Sequence, residues 1–232
     1  MISIILPAYN EEEFMKRNTA QIMKRMNKIG ERYEIIIIEE STDKTPEIAS
    51  GLGKRYKTVR HFHFGRRLGK GRAIEKGIIK SRSEKIVFMD IDLAVDLSAM
   101  GAMLDALENY DVVVGSRYHP RSKTRRTLLR LFLGRGYALL SSIILGINLR
   151  DFQCGFKGFS RNAGKEIIKY TKISGVFWDT EFVYFAKKLG YKIEEIPVIW
   201  EERKARSTKI GIKTIFYMGK NLVELFVRSR LA

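Results

Sequence analysis

Apolar residues fall in short dense runs, separated by longer segments where they recur every three or four positions. Ile2 to Pro7 and Tyr33 to Ile38 are runs of the first kind. Such runs are expected of parallel strands buried on both faces. Glu11 to Lys28 carries the helical spacing between them. Ser41, Thr42 and Asp43 are helix-capping residues, and a helix is predicted from Pro46 to Tyr56. The alternation continues with a strand over Thr58 to Phe64, a helix over Gly69 to Ser81 and a strand over Lys85 to Asp90. A helix over Leu97 to Glu108 and a strand over Asp111 to Gly115 complete it. This rhythm predicts an α/β fold with a doubly wound, mostly parallel sheet and right-handed crossovers.

The second half is less regular. Leu128 to Ile147 reads as an apolar helix or helix pair, and Asp151 to Ser160 is rich in glycine and aromatic residues. Trp178 to Lys188 is helix-like, Tyr191 to Trp200 strand-like, and a basic loop over Glu202 to Lys209 precedes an amphipathic helix over Ile212 to Arg228. No repeat or long linker interrupts the chain. The expected organisation is one domain over 1–209 with an amphipathic helical elaboration over 210–232. No apolar stretch is expected to reach the roughly 18 residues of a spanning helix, because Arg130, Gly134, Arg135 and Gly136 interrupt the longest one. A segment lying on a membrane surface is the expectation instead. No N-terminal signal pattern is visible, since Met1 leads straight into a strand.

In such sheets ligands bind beyond the carboxyl ends of the strands. The residues there are Ala8-Tyr9-Asn10-Glu11, Glu39-Glu40-Ser41, Gly65-Arg66-Arg67, Asp90-Ile91-Asp92 and Ser116-Arg117-Tyr118. A rim with both carboxylates and arginines suits a metal together with a phosphate. Composition sharpens this. The 232 residues carry 43 Lys and Arg against 26 Asp and Glu, a formal charge of +17. That excess suits nucleic acid, anionic lipid or a phosphorylated small substrate, or a charge-rich soluble surface. The single cysteine, Cys154, excludes an intramolecular disulfide and suits a reducing compartment.

Three motifs carry candidate chemistry. Asp90-Ile91-Asp92 places two carboxylates at a strand end, where both reach one hard cation. Alone, such a pair serves as readily to cap the next helix, the role expected of Asp96. An EF-hand loop is excluded, because Val95 stands where its glycine must be. Gly65 to Gly71 (GRRLGKG) fails the Walker spacing, yet a basic glycine loop opening a helix can hold an anion on its backbone N–H groups or be a plain turn. Arg117, Arg125, Arg126, Arg130, Arg203 and Arg206 with Lys209 form the cationic set, and Arg117 stands out because it follows a buried strand. The three histidines, His61, His63 and His119, match neither a nucleophilic triad nor a zinc site, and His61 and His63 alternate within a strand with no nearby acid and serine pattern.

Taken together, ILPAYNEE, EESTDKT, LGKGRAIEKG, DIDL, GSRY, DFQCGFKGFSR, WDTEF and IPVIWEERKARSTK, in that order, resemble the family 2 glycosyltransferases of the polyprenyl-phosphate type. That group contains the dolichyl-phosphate mannose and glucose synthases. The resemblance covers the chain to about Lys209. It implies a GT-A fold and inverting transfer of a hexose from a nucleotide-diphospho sugar, UDP-glucose or GDP-mannose, to a polyprenyl (dolichyl) phosphate. It also implies a divalent cofactor, Mg²⁺ or Mn²⁺, on Asp90 and Asp92, and a peripheral position on the cytoplasmic face of a membrane.

Carried over position by position, Pro7, Tyr9, Glu11, Glu40, Lys70 and Asp90 are implied as nucleotide-sugar contacts. Arg117, Arg130, Arg203 and Lys209 are implied at the acceptor phosphate, and Asp179 and Glu181 at the sugar. Asp92, Arg117 and Asp179 are the implied catalytic set. The chain departs from the family in using EES for D-D-G, in Ala94 where mannose synthases often offer a further ligand, and in Arg206 and Thr208 for a glycine and a serine. QCGFK with W-D-x-E is closer to the glucose branch. Two other readings stay open: a family 2 transferase with a hydroxyl acceptor, using Asp179 or Asp151 as base, and, last, a nucleic-acid-binding module.

Overall fold

The computed structural model describes residues 1–201 and 212–231. Its first half follows the predicted alternation: β1 (Ile2–Ala8), α1 (Glu12–Ile29), β2 (Tyr33–Glu39), α2 (Thr45–Arg55), β3 (Val59–His63), α3 (Lys70–Lys80), β4 (Lys85–Met89), α4 (Ala99–Ala106) and β5 (Val112–Ser116). Then come β6 (Lys123–Arg125), α5 (Leu128–Leu145), β7 (Phe156–Ser160), α6 (Arg161–Ile167), α7 (Trp178–Lys188), β8 (Ile193–Pro197), β9 (Ile199–Glu201) and α8 (Ile212–Leu231).

Seven strands form one sheet in the order β3-β2-β1-β4-β7-β5-β8. All neighbours are parallel except β7, which runs against both β4 and β5. The unbroken apolar runs have their expected cause. Ile35 and Ile37 of β2 pack in one core layer with α1 residues, while Ile36 and Ile38 pack in another with Ala73 of α3, and all four are fully buried. Helices cover both faces, so neither face of the strand needs to be polar.

The antiparallel strand is the main departure from the expected sheet. Its sequence, FKGFS, has neither a long apolar run nor alternation. Gly158 sits opposite Val87 and Val113. A Cβ there would lie 2.6 Å from Met103 Sδ, so the small residue lets α4 close on the sheet. Because β7 is reversed, its beginning lies at the rim where the parallel strands end. Residues 151–155 are thereby delivered beside Asp90, whose N–H donates to the Gly155 carbonyl at 3.0 Å.

Two other segments differ from expectation. The strand-like run to Trp200 divides at Val198: β8 joins the main sheet, and β9 pairs in parallel with β6 in a separate two-stranded sheet. The apolar region after Leu128 is one helix, not two. α5 has 18 residues, a mean hydropathy of 1.5 and 11% of its residues buried, so by length and composition it could cross a membrane. The glycines do not interrupt it: Gly134 makes room for the Tyr118 hydroxyl, which a Cβ would meet at 1.9 Å. The final helix does two things at once. Leu222 and Leu225 of α8 are buried in the core, whereas Phe216, Val223 and Val227 are exposed. The basic loop of residues 202–209 lies outside the described residues.

Helix and sheet approach closely at Gly77 of α3, where a Cβ would come within 2.4 Å of Ile5 Cγ2 on β1. Ile5 is β-branched and fully buried, so it cannot swing away. Gly77→Ala is expected to lower unfolding stability by about 1–3 kcal/mol through overpacking, although alanine is the better helix former. Denaturant melts of the two proteins check this.

Candidate active site

The turns after β1 and β2 are tied together and build one wall of a cavity. Asn10 adopts a left-handed backbone with φ of 55°. Its N–H donates to Ser41 Oγ at 3.0 Å, and its side-chain oxygen accepts from the Thr42 N–H at 2.9 Å. The Glu11 N–H donates to Thr45 Oγ1 at 2.7 Å. Against this wall lies a cavity of about 440 Å³, lined by Pro7, Tyr9, Glu11, Glu40, Lys70, Asp90 and Asp92. All six residues predicted to contact the nucleotide sugar meet there. Arg67, expected at the rim, also lines it, as does Val176, which was not singled out from the sequence. The Arg67 guanidinium lies 3.3 Å from the centroid of the Tyr9 ring.

Asp90 and Asp92 follow β4 through a tight turn. The buried Leu93 takes the left-handed backbone, with φ of 51°. That is a costly conformation for a branched side chain. The turn is held by the Asn18 side-chain amide, which donates to the Ile91 carbonyl at 2.7 Å, and by Asp92 Oδ1, which accepts from the Ala94 N–H at 3.1 Å. Gly155 presses on the other side, where a Cβ would lie 1.9 Å from Asp90 Oδ2. Asp96 behaves as expected of a helix-opening residue, accepting from the Ser98 N–H at 2.8 Å just before α4.

Two carboxylates on a polar cavity wall fit a hard divalent cation that keeps water or substrate phosphate oxygens in its remaining positions. Among the described residues, no group of three or more His, Cys, Asp or Glu could enclose a metal. A cation here would therefore find no third carboxylate, imidazole or thiolate among the described residues, and Ala94 offers no side-chain ligand.

Behind the cavity wall runs a line of alternating charges. Lys70 Nζ lies 3.0 Å from Asp90 Oδ1 and 3.2 Å from Asp179 Oδ2, and Asp179 Oδ1 receives Lys157 Nζ at 2.5 Å. Lys157 also donates to the Cys154 carbonyl at 2.6 Å. Burial pushes the Asp179 carboxyl up, but Lys157 and Lys70 outweigh it and hold the group below the usual carboxylate range. Burial likewise opposes the Lys70 charge, and Asp179 and Asp90 more than restore it, raising its pKa. Asp179 thus stands behind Lys70 and is not on the wall itself.

Glu181, expected beside the sugar, is turned away. One oxygen accepts from the N–H groups of Lys172 and Ile173, each at 2.9 Å, and the other pairs with Arg228 of α8. Two helical positions after Asp179, it must project from nearly the opposite side of α7.

The glycine loop also has a different occupant from the one considered. Glu40 accepts from the backbone N–H groups of Leu68 and Gly69 and pairs with Arg67 at 2.7 Å. The Gly71 N–H donates to the Ser174 carbonyl at 2.8 Å. The anion at this helix start is the protein's own glutamate, a side chain long enough to cross from β2. His61 and His63 do have an acid nearby, which the sequence reading missed. It is the buried Glu39 on the adjacent strand, whose Oε1 lies 2.9 Å from His61 Nε2 and 2.7 Å from His63 Nδ1. Burial raises the Glu39 carboxyl, but the Ser41 N–H and the two imidazoles outweigh it and hold it low.

A second cavity, of about 390 Å³, lies between α5 and α8. Its walls are mainly apolar, with Phe132, Leu133, Leu140, Ile215 and Leu222, and Arg117, Arg126 and Arg130 also line it. These arginines differ. Arg117 is bound on Asp151 by two bonds, Nε to Oδ2 at 2.7 Å and Nη2 to Oδ1 at 2.8 Å, and its backbone N–H donates to the same carboxylate at 2.9 Å. Burial pushes Asp151 up, but Arg117 outweighs it and holds the carboxyl low. Arg126 donates to the Tyr118 hydroxyl at 2.8 Å and packs over Trp200. Arg125 is exposed and faces Glu201, away from the cavity. Arg203, Arg206 and Lys209 lie outside the described residues.

The two cavities share no lining residue and are joined by the 151–155 loop. Its Asp151, Phe152 and Gln153 line the apolar cavity, and its Gly155 abuts Asp90. Gln153 is a residue the sequence did not single out. Its amide, oriented to satisfy its neighbours, donates to the Val176 carbonyl at 2.9 Å and accepts from Thr180 Oγ1 at 2.7 Å. Burial, reinforced by Asp151, pushes the neighbouring Cys154 thiol up to about 12, so it stays protonated.

Comparison with known proteins agrees with this geometry. The family model for "Glycosyl transferase family 2" matches residues 3–168. Glycosyltransferase AglD of Haloferax volcanii is 32% identical over 240 residues, covering 99% of this chain and 38% of that protein. The dolichyl-phosphate beta-glucosyltransferase of Mus musculus is 31% identical, covering 99% of this chain and 75% of that one, and that of Saccharomyces cerevisiae is 30% identical, covering 96% and 73%. This chain thus spans well under half of the Haloferax protein and about three quarters of the other two. Among solved structures, glucosyl-3-phosphoglycerate synthase of Mycobacterium tuberculosis, in complex with Mn²⁺, UDP and phosphoglyceric acid, superposes with a TM-score of 0.70 at 17% identity, covering 98% of this chain and 78% of that one. Mannosyl-3-phosphoglycerate synthase of Rubrobacter xylanophilus gives 0.70 at 15% identity, covering 99% and 73%. The fold is GT-A.

The Arg117–Asp151 pair carries a measurable pH signature. Asp151 is buried with its pKa depressed, so its stabilisation is fully present above the unfolded value of about 3.9 and is lost as pH falls through the lower folded value. Asp151→Asn is expected to lower stability by about 3–5 kcal/mol at neutral pH, because it strands a buried guanidinium. The difference should shrink below about pH 4, as the wild-type carboxyl begins to protonate. Denaturant melts across that range check both points.

Proposed function

The chain belongs to glycosyl transferase family 2, and on that footing we propose that it transfers glucose from UDP-glucose to a polyprenyl (dolichyl) phosphate, with inversion at the anomeric carbon. The observation that carries this reading is the pairing of cavities: a polar one with Asp90, Asp92 and Lys70, and an apolar one with arginines, meeting at the 151–155 loop. The polar cavity suits a nucleoside diphosphate. The apolar groove suits an isoprenoid chain, with its phosphate held near Arg117, Arg126 and Arg130. Arg203 and Lys209 are proposed to complete that phosphate site. The glucose relatives favour glucose over the mannose of the other branch.

The chemistry needs little from the protein beyond position and charge. A phosphate monoester oxygen is already ionised near neutral pH. It attacks the anomeric carbon as the bond from that carbon to the diphosphate oxygen breaks, and the leaving nucleoside diphosphate takes the electron pair. Holding two anions in line is the difficult part, and the cationic side chains do it. Lys70 faces the diphosphate. Asp90 and Asp92 would hold a divalent cation, Mg²⁺ or Mn²⁺, which when bound supplies charge to stabilise the leaving group. A hydroxyl acceptor would instead require a base. Asp151 and Asp179 serve poorly, because each is engaged by cations that depress its pKa.

The reading also puts the enzyme on a membrane surface, at its cytoplasmic face. The exposed apolar side chains of α5, among them Leu128, Phe132, Leu139 and Ile143, support contact with lipid, and the single cysteine suits the cytoplasmic side. The division into a transferase domain over 1–209 and a surface helix over 210–232 is part of the same proposal.

The test is transfer of labelled glucose from UDP-glucose to dolichyl phosphate, run beside GDP-mannose and beside soluble hydroxyl acceptors. Glucose should move to the lipid phosphate alone. Asp92→Asn should cut turnover by about a hundredfold or more, the scale of one lost contact to developing charge, with its melting temperature unchanged. Equal turnover in that variant, or transfer to hydroxyls only, would sink the reading.

A further inference from the structure

Asp179 is compensated twice, and its two lysines are not equivalent. Lys157 is fully buried, and its ammonium is fixed between Asp179 Oδ1 and the Cys154 carbonyl. Lys70 lines the polar cavity with 23% of its side chain exposed, and it bridges Asp179 Oδ2 and Asp90 Oδ1. If Lys70 turns away from the aspartates, Asp179 keeps Lys157 and no buried charge is left alone. Lys70 can therefore change partners at a cost that Lys157 could not meet. The carboxylate it covers, Asp90, is one that a divalent cation would need.

We propose that Lys70 is a placeholder cation that couples metal binding to nucleotide binding. It occupies Asp90 while the cavity holds neither ligand, and it turns to the diphosphate when cation and nucleotide arrive together. The inference rests on the reading of Asp90 and Asp92 as metal ligands and adds a specific order of affinities. A divalent cation alone meets an ammonium 3.0 Å from the oxygen it must bind. A diphosphate removes that obstacle by giving Lys70 an anionic partner. Metal and nucleotide must then each strengthen the other by the same factor.

The experiment is Mn²⁺ binding by the full chain, read from the free-ion electron paramagnetic resonance signal, with and without UDP. In the wild type, Mn²⁺ alone should bind weakly and UDP should tighten it strongly. In Lys70→Met, Mn²⁺ alone should bind about fivefold more tightly, the scale of one partly exposed ion pair removed, and the enhancement by UDP should shrink. Lys70→Arg keeps the positive charge and should keep the weak binding of metal alone. Thermal melts confirm that each variant is folded, and Lys70→Gln is read in the same way should the methionine variant fail to fold. Unchanged or weaker binding of Mn²⁺ alone in the folded neutral variants, with UDP still tightening Mn²⁺ in the wild type, overturns the placeholder and leaves the metal reading standing. No Mn²⁺ binding by the wild type even with UDP overturns the metal reading and this inference together.

Discussion

A single buried ion pair, Lys157 with Asp179, sets the terms for the rest of the site. Lys157 lies on an inner strand of the sheet, between Phe88 and Val114 in register, and is wholly inaccessible. A charge in that position is tolerable only when a partner meets it, and removing the partner from such a pair commonly costs several kcal/mol. Asp179 meets it from the first turn of α7, so α7 must dock there. Trp178 then fills the space against Phe88 and donates from its indole N–H to the buried Glu75 at 3.0 Å. Gly71 has no side chain because the Trp178 ring occupies that volume. The start of α3, and with it Lys70, is placed by this chain of contacts.

The same pair explains why carboxylates and cations coexist on a chain with so large a positive excess. Some of the acids, such as Glu12, Glu31, Glu84 and Glu108, lie on the surface, but a set of them does not. Glu39, Glu40, Glu75, Asp151, Asp179 and Glu181 are all buried, and each is held by a cation, by backbone N–H groups or by a histidine. They spend their charge on building the walls, and the surplus of arginine and lysine would remain for the anionic substrates proposed above.

Much of this was legible in the sequence, for identifiable reasons. Four consecutive isoleucines can only be a strand buried on both faces, and the alternation with helices implies the parallel sheet. That sheet dictates which residues meet at the rim, so Tyr9, Glu11, Glu40 and Asp90 could be brought together before any coordinates, and the family resemblance implied Pro7 and Lys70 beside them. What stayed hidden depended on partners distant in sequence. Nothing in FKGFS says that it runs backwards through the centre, because its lysine and glycine break the apolar signal and their purpose lies in α7 and α4. The use of Glu40 to cap the glycine loop, the neutralisation of Arg117 by Asp151, and the turning of Glu181 towards Arg228 are pairings that spacing alone does not encode. Gln153 entered only as part of the QCGFK stretch, with nothing to show that its amide joins Val176 and Thr180.

The reversal of one strand has a further outcome for the traffic of molecules. By starting at the rim, β7 inserts the 151–155 loop as a partition with a cavity on each side and no wall residue in common. If the proposed substrates fill them, a greasy chain and a nucleotide would have no wall residue to compete for. On the proposed function, the partition would keep lipid and water in separate compartments of one small domain.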